Sequence, residues 1–110
     1  MTKRKKFEVA WAEAARSDLA AIVEYIAAES VDSAISVLDK LERCAASLTI
    51  MPQRGRMVPE LAAVGVRGYR EIVCAPWRIV YRIAGRTVYV LAVVDSRRNL
   101  EDLLLDRLLR

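Results

Sequence analysis

The interval between apolar residues changes along the chain, and each change predicts an element. Phe7, Val9 and Trp11 alternate with Glu8 and Ala10, which predicts a short strand with one buried face. From Ala12 the interval lengthens. Ala15, Leu19, Ile22, Val23 and Ile26 recur at helical spacing, while Glu13, Arg16, Glu24 and Glu29 fall mostly elsewhere, so an amphipathic helix is predicted to about Ala28. Ser30 to Ser33 supplies capping residues, with Ser30 or Asp32 as N-cap of a second helix. In that helix Ala34, Leu38, Leu41, Ala45 and Leu48 step by four and three, the seam of a helical hairpin packed on its neighbour. Met51-Pro52 stops it, because proline lacks the N–H and clashes with the preceding turn.

Beyond a connector the period becomes two. Gln53-Arg54-Gly55-Arg56 reads as a glycine-bearing loop and Pro59 to Ala62 as a single helical turn. Three runs rich in β-branched and aromatic residues follow: Tyr69 to Cys74, Arg78 to Ile83 and Thr87 to Val94. Ala75-Pro76-Trp77 and Ala84-Gly85-Arg86 separate them, so a three-strand antiparallel meander is predicted. In the middle run Arg78, Val80 and Arg82 share one face, and Ile79, Tyr81 and Ile83 share the other. The last run is apolar on both faces, which suits a central strand covered from both sides. Asn99 to Arg110 reads as a short C-terminal helix capped by Asn99. Its Leu100, Leu103, Leu104 and Leu108 are expected to cover the chain's own core, the alternative cover being a partner or a second copy of the chain as a homodimer. The fold class is thus α+β, with an N-terminal strand, a helical hairpin on a mainly antiparallel sheet, and a C-terminal helix.

Composition narrows the classes. The sequence of 110 residues suits a single domain, 1–110, and 55% apolar residues argue against disorder. The basic start, residues 1–6, is expected to be a disordered tail. No apolar run approaches the roughly 18 residues of a membrane span, so a cytoplasmic protein with no membrane contact is expected. Cys44 and Cys74 have no CxxC spacing, and there is no histidine, which speaks against zinc and for small core thiols. No cofactor is expected.

Charge is partitioned sharply. Residues 1–53 carry −1, residues 54–98 carry +6 with nine arginines, and residues 99–110 carry −1. Arginine's planar fork binds phosphate and carboxylate bidentately, so the sheet region favours an anionic or acidic partner.

Val9-Ala10-Trp11, the connector Met51-Pro52-Gln53-Arg54-Gly55-Arg56 with Pro59-Glu60-Leu61, Tyr69-Arg70-Glu71-Ile72, Trp77 to Ile83 and Val93 to Arg98 occur in an order and spacing that resembles the RelE/ParE superfamily of type II toxins. The resemblance implies a toxin of a bacterial toxin-antitoxin, or plasmid-stabilisation, module, held in check by a cognate ParD/RelB-like antitoxin. Such partners carry an acidic or amphipathic segment. Reversing the charge of Arg78 together with Arg82 is expected to weaken its binding.

The superfamily holds two activities. RelE-like members cleave mRNA on the ribosome, which needs side chains that move protons and steady a phosphate. ParE-like members inhibit DNA gyrase by binding. Superfamily sequences commonly carry histidine where this chain has Asp95, and the terminal tyrosine of RelE is replaced by leucine here. A carboxylate beside arginines is a poor proton donor near neutral pH. The resemblance therefore implies a ParE-like gyrase inhibitor with no catalytic residues, whose target or antitoxin contacts are Arg54, Arg56, Arg70, Arg78, Arg82, Arg97 and Arg98. The alternative is a nuclease using Arg70, Arg78, Asp95, Arg97 and Arg98 on ribosome and mRNA. A non-toxic interaction module is the third reading.

Overall fold

The computed structural model describes residues 6–97 and 100–108. The first five residues of the expected tail, Arg98, the Asn99 cap and Arg110 lie outside the described residues. Strand β1 (Glu8–Trp11) leads into helices α1 (Glu13–Ala27) and α2 (Val31–Ala46), which form the hairpin. Ser30 is the N-cap of α2, its hydroxyl accepting from the Ser33 N–H at 3.1 Å. A 3-10 turn (Ser47–Thr49) leads to Pro52 and the connector, which holds strand β2 (Arg56–Met57) and the one-turn helix α3 (Pro59–Ala62). Then come β3 (Arg70–Cys74), β4 (Trp77–Ala84), β5 (Thr87–Asp95) and α4 (Leu100–Leu108).

The five strands form one sheet in the order β1-β5-β4-β3-β2. β1 runs parallel to β5 and every other pairing is antiparallel. The meander is built as its turn residues dictate. Ala75-Pro76 joins β3 to β4, and Gly85-Arg86 joins β4 to β5, with Gly85 at φ +60° in the first turn position that a tight hairpin reserves for glycine. One expectation needs correction: Arg56, assigned to a loop, begins β2 and pairs with Glu71. Two residues are too few to show a period, so the pattern could not reveal this strand.

β5 departs from strict alternation. Val80 pairs with Ala92 but Tyr81 pairs with Val90, so Leu91 is an extra residue, a β-bulge. The bulge shifts the phase of β5. Val88 and Val90 face the helical hairpin, as does Val93, while Ala92 and Val94 face the opposite side. This accounts for a strand apolar throughout.

Two cores result, one on each side of the sheet. Beneath the hairpin, Ala15, Leu41, Ala45 and Leu48 pack on Ile72, Ile79, Tyr81, Val88 and Val90. On the other side, Val80, Ala92 and Val94 are covered by Val58, by Leu61 of α3, and by Leu100 and Leu104 of α4. The last two leucines are 1% exposed, so α4 closes the protein's own core. Each such burial is worth about 1.5–3 kcal/mol.

Candidate functional site

On the sheet face beside α3, four charged residues from four elements meet. The β3–β4 register places Val73 opposite Arg78 and Glu71 opposite Val80, so Glu71 and Arg78 are diagonal neighbours on one face. Arg78 Nη1 donates to both Glu71 oxygens at 2.8 and 3.1 Å, and to Glu60 Oε1 at 3.1 Å, while Nη2 donates to Glu60 Oε2. Glu60 comes from the first turn of α3. Arg56 of β2 completes the group through its Nε and Nη2, both 2.8 Å from Glu71 Oε2.

Burial makes this network stiff. The Glu71 and Arg78 side chains are 0% and 7% exposed, so neither charge could persist here without the other. Loss of water works against the charge of Arg78, but the hydrogen bonds it donates to both glutamates outweigh this and raise its pKa further. Burial likewise pushes the Glu60 carboxyl up, and the hydrogen bond and charge of Arg78 overcome it and hold the carboxyl below its ordinary range. Arg78 and Arg82, whose joint charge reversal is expected to weaken antitoxin binding, have different surroundings. They share a face as predicted, but Arg78 lies beneath Glu60 and is neutralised, whereas Arg82 is exposed, its guanidinium 5.3 Å from the Tyr89 ring centre. Reversing the charge of Arg78 would disrupt the core before it reported on any partner.

The remaining sequence-selected residues are dispersed. Arg54 is exposed on the connector loop. Arg70 braces the same loop, donating to the Gly55 carbonyl at 2.8 Å. Tyr81 pins it from below, its hydroxyl donating to the Pro52 carbonyl at 2.7 Å and accepting from the Gly55 N–H at 3.0 Å. At the far end of β5, both Asp95 oxygens are held by Arg97: Nε to Oδ1 at 3.0 Å and Nη2 to Oδ2 at 2.7 Å, with the Arg97 backbone N–H also on Oδ1 at 2.8 Å.

That pair sits on the rim of a groove of about 590 Å³ between α1, the end of β5 and α4. Its apolar lining includes Ile22, Tyr25, Ile26, Trp77 and Leu103. Tyr25 is 84% exposed, unusual for so large a ring. A second ion pair, Asp18 with Arg107 at 2.6 and 3.1 Å, borders it. The arrangement suits an apolar segment with a few charges. Among the described residues no three Cys, Asp or Glu side chains gather as a metal site would require.

Sequence reasoning gave no site role to Glu60, Glu71, Asp18 or Arg107, although Glu60 and Glu71 lie in the segments that carry the resemblance. Glu71 is diagonal to Arg78 because the turn after Cys74 holds two residues, Trp77, assigned to the turn, being the first residue of β4. Asp18 and Arg107 are 89 positions apart, and nothing local links them.

Residues 9–100 match the model of the ParE toxin of the type II toxin-antitoxin system, parDE. The chain belongs to the ParE toxin family. Among solved structures, the chromosomal ParDE toxin-antitoxin system from P. aeruginosa is similar in fold, with TM-score 0.66 and 18% identity over 83% of this chain and 97% of that one. The RelBE2 toxin-antitoxin complex from Mycobacterium tuberculosis is similar too, with TM-score 0.57 and 23% identity over 86% and 97%. No curated protein matches the sequence. The resemblance to the RelE/ParE superfamily thus holds, and the chain belongs with the toxins of type II toxin-antitoxin systems.

Proposed function

We propose that this ParE-family chain arrests growth by binding DNA gyrase, cleaves no RNA, and is neutralised when an antitoxin segment occupies the groove beside α1. The observation that carries the non-catalytic part is the state of the carboxylates around the arginines. Glu60 and Glu71 are clamped by Arg56 and Arg78, and both oxygens of Asp95 are taken by Arg97. RNA cleavage through the 2′-hydroxyl needs a group that accepts a proton and another that donates one near neutral pH. The sequence has no histidine, and Glu60, held below its ordinary range, is a poor donor. Arg78 is spent on glutamates rather than open to a phosphate.

The groove supports the antitoxin part. Exposed Tyr25 with Ile22, Ile26, Trp77 and Leu103 offers apolar area, and Arg97 on the rim suits an acidic residue of the bound segment. The similar structures come from toxin-antitoxin systems. Two assays separate the activities. Purified protein is expected to inhibit gyrase supercoiling and to leave mRNA intact in a coupled translation extract; transcript cleavage at the ribosomal A site would favour the nuclease instead. Trp77→Glu is expected to weaken binding of the antitoxin encoded beside this gene, and unchanged affinity in calorimetry would move the antitoxin to another surface.

A further inference from the structure

The two cysteines, 30 positions apart, meet where the hairpin layer rests on the sheet. Cys44 Sγ of α2 is 2.8 Å from Cys74 Sγ at the end of β3. The approach is braced independently, because Lys40, one turn earlier on α2, donates from Nζ to the Ala75 carbonyl at 2.8 Å. We infer that Cys44 and Cys74 are an intramolecular disulfide site, closed reversibly by a low-molecular-weight disulfide such as oxidised glutathione, that staples α2 to β3.

Geometry favours this over the other roles of a thiol pair. Closing a bond of about 2.05 Å asks the sulfurs to move by less than roughly 1 Å, with no redocking of either element. A structural zinc needs four ligands, and among the described residues no third one joins this pair. The two thiols also differ in access. Cys74 is 3% exposed, whereas Cys44 is half-buried. Burial, with the Cys44 thiol beside it, pushes the Cys74 thiol up to about 12, so Cys44 is the sulfur that meets the oxidant.

The exchange balances in two steps. The Cys44 thiol gives its proton to solvent and its sulfur attacks one sulfur of oxidised glutathione, forming a mixed disulfide and releasing one glutathione thiolate, which takes up a proton. Cys74 then loses its proton, attacks Cys44 Sγ and expels the second glutathione. Two protein thiols are oxidised to one disulfide, and the glutathione disulfide is reduced to two thiols. The ring so closed contains the whole connector, with the Gly55 loop and α3, and ties down both of its ends.

The test uses the full chain incubated with oxidised glutathione and does not depend on the gyrase reading. Intact mass is expected to fall by two hydrogens, digestion to yield one peptide pair linked through Cys44 and Cys74, and dithiothreitol to reverse both. The thermal midpoint is expected to rise by on the order of 10 °C. A persisting glutathione adduct on Cys44, a disulfide-linked dimer, or two thiols still free to alkylation would each overturn the proposal. Cys44→Ala, at a half-buried position, is expected to fold and to show no rise with oxidised glutathione; the same rise in that variant would also contradict it.

Discussion

Tyr81 shows how much of the connector rests on one side chain. It is fully buried, burial pushes its phenol above the ordinary value, and its hydroxyl joins Pro52 to Gly55. A side chain at position 55 would have no room, since a Cβ there would lie 2.5 Å from the Tyr81 hydroxyl and 2.6 Å from the Glu71 carbonyl. Tyr81→Phe keeps the ring but strands a buried N–H and a buried carbonyl, so it is expected to cost about 1–3 kcal/mol in urea unfolding. Asp95 is the opposite case. Its partner Arg97 is 79% exposed, and an ion pair so open to water contributes little to stability. Asp95→Ala is expected to stay folded and to inhibit gyrase as wild type does, measured by supercoiling; loss of inhibition in the folded variant would give the carboxylate a functional role. Sequence alone told that the arginines were many and where they clustered. It did not tell which were neutralised, because Glu60 and Glu71 become partners of Arg78 only once α3 and β3 are set beside β4.

At the scale of elements, the bulge at Leu91 and the end of β1 pose a common problem. β1 pairs with β5 only as far as Trp11 opposite Val90, and the Ala12 N–H on the Val90 carbonyl is the last backbone bond between them. Beyond it the edge of β5 is open, and Asp18 of α1 takes the Val93 N–H at 3.0 Å while also holding Arg107 of α4. One carboxylate thereby joins three elements. Asp18→Ala is expected to destabilise more than Arg107→Ala, because it also leaves the Val93 N–H without its acceptor. In hydrogen exchange, both variants are expected to lose protection in α4 and only Asp18→Ala at Val93; equal loss at Val93 in both would contradict the capping role. The long elements were legible in the sequence, α1, α2 and β4 from their period and β5 from its β-branched apolar run. β2 was not, nor was the phase shift of β5, since a run apolar at every position carries no phase to read.

In the whole molecule, the sheet is a partition with apolar cores on both sides and a charged network set into one of them. Acid acts on that network through Glu60. Glu60 has a folded-state pKa below its ordinary 4.5, so its contribution is fully present above about pH 4.5 and is lost as pH falls through the lower folded value. The thermal midpoint of wild type is therefore expected to fall more steeply below pH 4.5 than that of Glu60→Gln, and parallel curves would show that Glu60 does not couple to folding. Toward solvent, the same design leaves the apolar groove beside α1 open and the carboxylates near the arginines engaged. On the proposed reading, such a molecule binds rather than cuts. Gyrase supercoiling by the purified enzyme, with wild-type protein added at increasing concentration, tests this most directly. Dose-dependent inhibition, relieved by the cognate antitoxin, is the result expected; undiminished supercoiling alongside ribosome-dependent cleavage of mRNA by the same preparation would contradict it.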